Sequence, residues 1–316
     1  MFRYILKRVA YMLVTLLVVI SVTFFLVRLL PGSPFDDSKL TPQQIALVNH
    51  QYGLDAPVPV QFAKYLGNIV FHGNMGTAFQ WDNKPVTGII KARIGSSAMI
   101  GAQSLVLGTI VGLGLGIISA LKKNSIWDQL ATIISVLGVS VPSFVFAAVL
   151  QYSLGLKAGW FPVTWGVPLG VSFRYSWTLL PSVALSFFTI STVCRFARAE
   201  LVEVLGSDYI ITARSKGLTG AQVIVKHAIR NALIPVITVL GPLVVSLLTG
   251  SLVIEKVFAV PGLGDLLVKA ISTNDLFVIS GVAIFYSALY IFSVLVVDIL
   301  YGVIDPRIRL AEGGKA

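Results

Sequence analysis

The sequence predicts an all-α, multi-pass membrane protein with six transmembrane helices and both termini on the cytoplasmic side. Three observations support this fold class: an apolar composition, apolar stretches of membrane-spanning length, and an uneven distribution of Lys and Arg. Hydrophobic residues make up 56% of the 316 residues and charged residues only 12%. Because a soluble domain carries roughly twice that charged fraction, the composition places most of the chain in a bilayer.

Six apolar stretches are each long enough to cross the hydrocarbon core, which takes about 20 helical residues. They cover residues 9–27, 98–120, 130–154, 178–196, 232–253 and 278–302. The first stretch exceeds the usual apolar core of a signal peptide, and no Ala-x-Ala cleavage site follows it. We therefore expect it to be an uncleaved first span.

The basic residues decide the orientation of these spans. Fourteen Lys and Arg lie in the N-terminal tail, the 121–129 loop, the charged region between the fourth and fifth spans, and the C-terminal tail, whereas the opposite short loops and span edges hold five. Residues 31–97 are left out because long loops are translocated largely regardless of charge. Since cytoplasmic loops carry the excess of Lys and Arg, both termini are expected in the cytoplasm.

The spans divide the chain into regions. Residues 1–30 are expected to form an N-terminal cytoplasmic tail and the first transmembrane helix, 31–97 an extracytoplasmic loop or subdomain, 98–302 the core domain with five spans, and 303–316 a cytoplasmic tail. The 31–97 region is too long for a simple connector. Its stretch "TPQQIALVNHQYGL" predicts a short helix with a Thr cap and Pro at the first helical position, and "APVPVQFAKYLGNIV" predicts another.

Aromatic and glycine residues refine this picture. Trp160 and Trp165 of "GWFPVTWGVP" predict an interfacial loop between the third and fourth spans. Gly108, Gly112 and Gly116 form two overlapping GxxxG patterns, a flat stripe for helix packing. "GLGLG" superficially suggests a nucleotide loop, but it lies inside an apolar run with no preceding strand. No GxxxxGK[ST] motif occurs, so this chain is not expected to bind ATP through a P-loop by itself.

Residues 197–231, named here the charged segment, interrupt the apolar sequence with about 35 residues that are not expected to span the membrane. On an α-helical wheel one half of the circumference carries Gln222, Lys226, His227, Arg230 and Asn231. The other half carries Ala221, Ile224, Val225, Ala228, Ile229 and Ala232, with Val223 as the one misfit. The pattern predicts an amphipathic helix.

A second, shorter helix is expected just before it. Gly217 and Gly220 permit a sharp turn from a helix in "SDYIITARSK", which Ser207 or Asp208 can cap. Such a pair of helices fits an interfacial element whose Lys and Arg only fix topology. It fits equally a docking element that inserts into the groove of a soluble partner. Spacing alone leaves both interpretations open.

The charged segment resembles the cytoplasmic "EAA" loop of ABC-importer permeases, in the variant of the peptide-transport branch. That pattern runs Tyr-hydrophobic-x-x-Ala-x-x-Lys-Gly, followed by His-Ala-x-Arg-Asn-Ala-hydrophobic-x-Pro. The resemblance implies a set of residues that dock an ATPase and couple it to transport. They are Tyr209, Ala213, Lys216, Gly217, Ala221, Ile224, Lys226, His227, Ala228, Arg230, Asn231 and Pro235. The Glu that names the loop in other branches is absent, with Ile211 near its place, and the Gly-to-Pro distance is longer than usual.

Further stretches resemble the B-type permease subunit of oligopeptide and dipeptide ABC importers. They are "FRYILKRV", "LLPGSPF", "YGLDAPVPVQFAKYLGNIV", "GNMGTAF", "EKVFAVPGLGDLLVKAI" and "DPRIR", so the resemblance spans nearly the whole chain. "FAVPGLG" departs slightly from the usual Phe-Ser-x-Pro-Gly-Leu-Gly.

The resemblance implies the type I ABC importer permease fold in a bacterial cytoplasmic membrane. It implies as partners a homologous second permease, two ABC ATPase subunits and an extracytoplasmic peptide-binding protein. No cofactor would be bound by this chain, because ATP and Mg belong to the ATPases. The protein would then not be an enzyme but one half of a path that imports peptides by alternating access. Nickel, glutathione or another small cargo of the same branch remains an alternative.

Other function classes find less support. Nucleic-acid binding is disfavoured because no platform of aromatic and basic residues accompanies the basic loops. An intramembrane protease or zinc site needs His within spans, whereas His50, His72 and His227 lie outside them. Cys194 is the only cysteine, so no intrachain disulfide forms. An ion-coupled transporter usually carries buried acids, and only Asp298, near the end of the last span, lies clearly inside one.

Polar residues within spans are candidates for the lining of the path, and each serves equally well as a hydrogen-bond partner for a neighbouring helix. They are Gln103, Ser140, Gln151, Thr238, Ser246 and Thr249. The sequence does not separate the two roles.

Overall fold

The computed structural model describes residues 2–29, 41–51, 53–166, 176–248 and 251–304. Those residues form helices and connecting turns, with one isolated β-bridge between Thr77 and Pro85. The helices are α1 (Phe2–Arg28), α2 (Pro42–Gln51), α3 (Val58–His72), α4 (Val86–Leu121), α5 (Ile126–Ser140), α6 (Ser143–Leu150), α7 (Leu179–Leu205), α8 (Asp208–Ser215), α9 (Gly220–Gln222), α10 (Arg230–Leu248), α11 (Leu252–Val257), α12 (Leu263–Ser272) and α13 (Leu276–Ile304). π-Helical turns follow α6 and α9, at Gln151–Lys157 and Val223–Ile229, and a 3₁₀ turn, Ser176–Thr178, precedes α7.

The predicted all-α membrane fold is confirmed. Four helical stretches are long and apolar enough to cross a membrane by themselves: Leu6–Arg28, Val86–Leu121, Ser176–Leu205 and Leu276–Val296. Two bent helix pairs bring the number to six if each pair counts as one span. At 1.5 Å per residue the 36 residues of α4 measure about 54 Å, so this helix extends well beyond the hydrocarbon core.

The third predicted span, residues 130–154, is not one straight helix. α5 ends at Ser140, and the chain turns by 105° before α6 continues. Pro142 causes the break, because its ring disfavours helical geometry in the residue before it, and Val141 is extended with φ −89° and ψ 124°. The "SVPS" sequence carried this signal, which the apolar run concealed.

The fifth predicted span, residues 232–253, also ends early. α10 stops at Leu248, and Ser251 caps a separate helix, α11, by accepting a hydrogen bond from the amide of Ile254 at 3.4 Å. α10 contains Pro235 and Pro242, and the chain bends by 46° between Leu233 and Pro235. α11 and α12 then occupy a stretch that the sequence predicted only as a short loop.

The chain forms two compact units. Unit 1 comprises Met1–Ser96 and Pro261–Leu295. Both short helices predicted within residues 31–97 are present in it, as α2 and α3. Its main apolar core joins the start of α4 to α12 and α13, through Val86, Ile89, Ile90, Leu263, Leu266, Ala270, Val278, Ile279 and Val282. Asp275 fixes the 74–85 turn, because its buried carboxylate accepts hydrogen bonds from the amides of Phe79 and Gln80 at 2.6 and 3.0 Å.

Unit 2 comprises Ser97–Val260 and Val296–Ala316, and α7 is its central helix, packed by α5, α6 and α10. The predicted glycine stripe of α4 lies against α7. A Cβ atom added at Gly108 would stand 2.5 Å from Thr189 Cβ, one at Gly112 2.8 Å from Ile190 O, and one at Gly116 2.7 Å from Cys194 O. Gly114, on another face of α4, has nothing within 4 Å. The two backbones therefore approach to a distance that only glycine allows.

The tryptophans of the predicted interfacial loop have different surroundings. Trp160 is 64% exposed, as an interfacial side chain would be in the absence of lipid. Trp165 is partly buried, its backbone amide donates to Phe258 O at 2.9 Å, and it packs against the core of unit 2. The loop is thus held at Trp165 and open at Trp160.

Candidate functional site

The charged segment is almost entirely helical. Its first part continues α7 to Leu205, beyond the predicted end of the span, and α8 follows after a turn at Gly206 and Ser207. Gly217 then has φ +79°, a left-handed conformation that costs glycine nothing, and nothing lies within 4 Å of a Cβ built there. α9 and its π-helical turn lead directly into α10. The segment is therefore a pair of helices joined at a glycine bend.

Two caps define the ends of these helices, and one differs from expectation. Ser207 occupies the N-cap position of α8, but its hydroxyl donates to Val204 O at 2.6 Å instead of accepting from α8. Thr219 and Gln222 form a reciprocal capping box: Gln222 Oε1 accepts from the Thr219 amide at 3.0 Å, and Thr219 Oγ1 from the Gln222 amide at 3.4 Å. The Thr-x-x-Gln spacing was the available signal for this cap.

One face of the charged segment is buried against the ends of α4 and α7. Its apolar cluster consists of Ala120 of α4, Leu201 of α7, and Ile210, Ala213, Val223, Ala228 and Ala232. Ile210 and Ala228 are fully buried. Side chains of α4, α7, α8 and the π-helical turn therefore pack in one core, which joins the segment to the ends of two spans.

The π-helical turn corrects the predicted helical wheel. Val223, the misfit of that wheel, is 1% exposed, whereas Val225, placed on the apolar half, is 64% exposed. Ala221 is also exposed and Ile224 is half-buried. A π-helix bonds each residue to the one five positions away and so has more residues per turn than an α-helix. Val223 and Ala228, five positions apart, therefore share a face, which a wheel of 100° per residue cannot show.

The other face of the segment presents basic groups. Lys216, Lys226, Arg230 and Arg214 are exposed, and His227 is half-buried. Among the described residues, no Asp or Glu oxygen lies within 4.0 Å of their charged nitrogen atoms. Asn231 Nδ2 donates to Tyr209 Oη at 3.0 Å, which joins the start of α10 to α8. The face thus carries exposed cations that have no carboxylate partner in the part of the chain that the structure describes.

A buried ion pair near the end of α4 was missed by sequence reasoning. Asp128 accepts from Arg198 Nε and Nη2 at 2.7 and 2.8 Å, from the Ser119 hydroxyl, and from the Asn124 amide at 2.9 Å. Its side chain is only 6% exposed. From the sequence, Arg198 was only one of the fourteen basic residues that indicate the topology. A buried acid with four donors instead fixes α4, α5 and α7 to one another.

The polar candidates for a transport path separate into two groups. Gln103, Gln151 and Thr238 already have partners inside the protein. Gln103 accepts from the Ser182 hydroxyl at 2.9 Å, Gln151 Nε2 donates to Val163 O and Val257 O at 2.7 and 3.0 Å, and Thr238 donates to Pro235 O at 2.5 Å. Ser140 is exposed at the end of α5. Thr249 lies outside the described residues, and the side chain of Asp298 does as well.

Ser246 lines a cavity of about 320 Å³ beside the break between α5 and α6. The cavity is lined by Gly138, Val139, Val141, Pro142, Ser143, Phe146, Leu185, Phe187, Phe188, Ser246, Leu247 and Ser251. Phe146 and Phe187 stack with their ring centroids 4.0 Å apart. The cavity therefore combines aromatic surface with hydroxyl groups and with the interrupted backbone of a broken helix.

Metal-binding geometry does not mark any of these places. Across the described ranges, no group of three or more His, Cys, Asp or Glu side chains is arranged to hold a metal ion. His50 and His72 lie on α2 and α3, and His227 lies in the π-helical turn of the charged segment.

Comparison with known proteins places these features in a family. Residues 112–310 match the family "Binding-protein-dependent transport system inner membrane component", and residues 1–93 match the corresponding N-terminal family. A solved structure, "Crystal structure of an amino acid ABC transporter with histidines", superimposes with a TM-score of 0.51 over 70% of this chain and 94% of that chain, at 17% identity. This likeness supports the fold.

Full-length relatives are more similar in sequence. The chain is 43% identical to the dipeptide transport system permease protein DppB of Lactococcus lactis subsp. cremoris, over 98% of this chain and all of that protein. It is 40% identical to DppB of Bacillus subtilis, over 99% of this chain and all of that protein. It is 37% identical to the oligopeptide transport system permease protein OppB of Salmonella typhimurium, over 98% and 100%. The chain, with its apolar spans and its anchored charged segment, thus belongs to the family of binding-protein-dependent transport system inner membrane components.

Proposed function

We propose that this chain is a permease subunit of an ATP-driven ABC importer for dipeptides or oligopeptides, and that the charged segment docks an ATPase subunit. The observation that carries the docking role is the two-sided construction of the segment. Val223 and Ala228 anchor one face in the core with α4 and α7. Lys226 and Arg230 stand exposed on the other face with no carboxylate partner in the described chain.

The assembly that follows from this proposal has several subunits. The chain pairs with a homologous second permease in the bacterial cytoplasmic membrane, and the two permeases rest on two ABC ATPases. An extracytoplasmic binding protein delivers the peptide. The basic residues of the charged segment and both termini face the cytoplasm, in line with the bias of Lys and Arg. This chain catalyses no reaction and binds no cofactor of its own, because ATP and Mg are bound by the ATPases.

Transport then works by alternating access. ATP binding draws the ATPases together, and each ATPase carries its docked segment with it. The shared core with Ala120 and Leu201 passes the displacement to α4 and α7. ATP closure favours the outward-open state, and hydrolysis with product release restores the inward-facing one. Such a shift of populations requires contacts that differ between the two states, and the docking contacts supply the difference.

The names of the full-length relatives are a separate argument for peptides as the cargo. The relatives that align over their whole length are named as dipeptide and oligopeptide permeases. A path for peptides with varied side chains needs modest polarity and aromatic surface in place of one tight pocket. The cavity beside the α5–α6 break has this character and Ser246 lines it, so Ser246 is the path-lining candidate that we favour. Gln103 and Gln151 bond to neighbouring elements, whereas Thr238 bonds to Pro235 O within α10.

The test is co-expression of the chain with its partner permease and both ATPases. We compare wild type with Lys226→Glu/Arg230→Glu and with Gly217→Pro. The charge reversal is expected to abolish ATPase retention in purified membranes and uptake of a labelled dipeptide, because it repels the acceptor surface without touching the buried face. Gly217→Pro is expected to do the same, since the proline ring cannot adopt φ +79°.

Two matched controls isolate docking from net charge and from general damage. Lys122→Glu/Lys123→Glu makes the same change in charge in the exposed loop after α4, and Gly220→Ala alters the neighbouring glycine, which has open space for a Cβ. Both controls are expected to keep ATPase retention and uptake. Full retention and uptake in Lys226→Glu/Arg230→Glu would refute the docking role. Intact docking combined with uptake of nickel in place of a dipeptide would refute the cargo alone.

A further inference from the structure

Unit 1 contains a polar cavity that the transport mechanism does not use. Its volume is about 270 Å³, and it lies between the end of α1, the middle of α3, the 74–77 turn and Phe277. The lining residues with polar side chains are Arg28, Gln61, Lys64, Tyr65, Asn68, Asn74 and Thr77. Since one water molecule occupies roughly 30 Å³ of liquid, the cavity has room for several waters or one polyatomic ligand.

Three polar atoms in the walls of this cavity are buried without a hydrogen-bond partner among the described residues. They are Arg28 Nε, the Tyr65 hydroxyl and Gln61 Oε1. Tyr65 is only 5% exposed, so bulk water does not reach it freely. The guanidinium of Arg28 lies over the Phe24 ring, with Cζ 4.7 Å from the ring centroid. Buried donors of this kind are costly when they lack an acceptor, and proteins seldom leave them so.

The charge of the cavity defines the missing acceptor. Arg28 and Lys64 are cationic, and among the described residues none of those that line the cavity is Asp or Glu. Burial raises the pKa of Tyr65, so its hydroxyl keeps its proton and remains a donor at neutral pH. Two cations and a phenolic O–H around one space fit an oxyanion. Water would satisfy the donors but would leave the half-buried Arg28 guanidinium without a counter-charge, whereas the exposed Lys64 is solvated in either case.

The level of the cavity relative to the bilayer favours a lipid headgroup as the source of the oxyanion. Arg28 is the last residue of the apolar span Leu6–Arg28, which is the least buried of the four long spans among the described residues. An Arg at the end of a span lies at the headgroup level. α3 also indicates a position at the headgroup level. Val70 and Phe71, which follow the cavity residues of α3, are 65% and 81% exposed. Apolar side chains of this kind favour contact with the acyl boundary over water.

We propose that this cavity binds the phosphate of an anionic phospholipid headgroup, with Arg28 and Tyr65 as hydrogen-bond donors and Lys64 as a second positive charge. Gln61 also takes part: its Nε2 donates to Leu54 O and Ala56 O at 2.9 and 2.7 Å, which leaves Oε1 as the acceptor for a headgroup hydroxyl. The bound lipid joins the end of α1 to α3 and so fixes unit 1 at the membrane surface.

The experiment is a lipid titration of the purified, delipidated importer followed by native mass spectrometry. The probes are phosphatidylglycerol and phosphatidylcholine with identical acyl chains, and separately inorganic phosphate and a dipeptide. Wild type is expected to bind one phosphatidylglycerol about tenfold more tightly than phosphatidylcholine. Arg28→Gln and Tyr65→Phe are each expected to reduce that affinity about tenfold. Lys91→Gln, which removes an exposed cation of unit 1 that does not line the cavity, is expected to leave it unchanged.

Tyr65→Phe keeps the test decisive, because it removes only a hydroxyl that has no partner and retains the ring. Without added lipid its melting temperature is expected to equal or exceed that of wild type, and the stabilisation by phosphatidylglycerol is expected to fall. Equal binding of phosphatidylglycerol by wild type, Arg28→Gln and Tyr65→Phe would overturn the proposal and leave a water-filled cavity. Binding of inorganic phosphate or dipeptide without any preference for phosphatidylglycerol would overturn it in favour of a soluble anion.

Discussion

Two groups of charges in unit 2 are treated in opposite ways. Asp128 and Arg198 are joined by two hydrogen bonds, with the carboxylate of Asp128 buried and the Arg198 side chain 33% exposed. Arg214, Lys226 and Arg230 stand exposed, without a carboxylate partner in the described chain. A buried pair has one geometry, and it is costly to break because each charge would be left uncompensated. Exposed single charges cost little to keep and remain available to another molecule. The difference separates groups that hold the helices from groups that are free to meet a partner.

The largest expected effect on stability comes from breaking the pair of Asp128 and Arg198. Asp128→Ala leaves the Arg198 guanidinium and the Ser119 hydroxyl without their acceptor, and we expect a loss of about 3 kcal/mol in the free energy of unfolding. Thermal unfolding of the purified permease pair in detergent measures it. Arg198→Lys retains the charge but not the two-pronged geometry, and its loss is expected to be smaller. A melting curve for Asp128→Ala that overlays that of wild type would show that the pair does not stabilise the fold.

The close contact between α4 and α7 at the glycines is tested by adding a methyl group to it. Gly112→Ala places a methyl group 2.8 Å from Ile190 O and 2.9 Å from Val193 Cβ. We expect a loss of about 2 kcal/mol, since neither helix backbone can move away alone. Gly114→Ala is the matched control: it has open space, and we expect it to be neutral or stabilising because alanine favours helix. Equal melting temperatures for the two variants would contradict the close approach.

Within the charged segment the comparison narrows to two valines. Val223→Ala removes buried side-chain volume from the core shared with α4 and α7, with an expected loss of about 1.5 kcal/mol. Val225→Ala makes the same chemical change at a side chain that is 64% exposed, and we expect a loss below about 0.5 kcal/mol. Thermal unfolding and ATPase retention are measured for both. A larger loss for Val225→Ala than for Val223→Ala would contradict the π-helical turn and support a regular α-helix in this stretch.

The smallest effect concerns the bond between Asn231 and Tyr209. Tyr209→Phe removes one partly solvated hydrogen bond, so the expected loss is about 0.5 kcal/mol. A double-mutant cycle with Asn231→Ala measures the coupling between the two side chains by thermal unfolding. Additive effects would show that α8 and α10 are joined only through their buried faces.

The length of the apolar runs predicts the spans, whereas hydropathy alone does not show where a helix is interrupted within a run. Composition and run length were sufficient for α1, α4, α7 and α13, because a helix that must satisfy its backbone in lipid needs about 20 apolar residues in a row. The break at Pro142 lies inside such a run, where hydropathy is blind to backbone geometry. α11 and α12 were missed because short helices held by tertiary contacts carry little signal of their own.

The candidate site followed the same division. Its location, its basic residues and the bend at Gly217 could be predicted, since each depends on local residue type. The buried face could not, because the wheel assumes 3.6 residues per turn and the chain departs from that value between Val223 and Ile229. The Asp128–Arg198 pair joins residues 70 positions apart, and no local pattern announces a contact over that separation. The assignment of the segment to an ATPase stays a prediction.

The π-helical turn also constrains the length of the chain. Val223 and Ala232 are nine positions apart and would point in opposite directions on a straight α-helix, yet both are buried on one side. The extra residue of the π-helical turn makes this possible. With one residue fewer they would be eight positions apart, a spacing that a straight α-helix places on one face, so conversion of the π-helical turn to α-helix absorbs a single deletion. Substitutions in this stretch alter single contacts, whereas an insertion between Lys226 and Arg230 would rotate Lys226 by about 100° relative to α10 and separate it from Arg230.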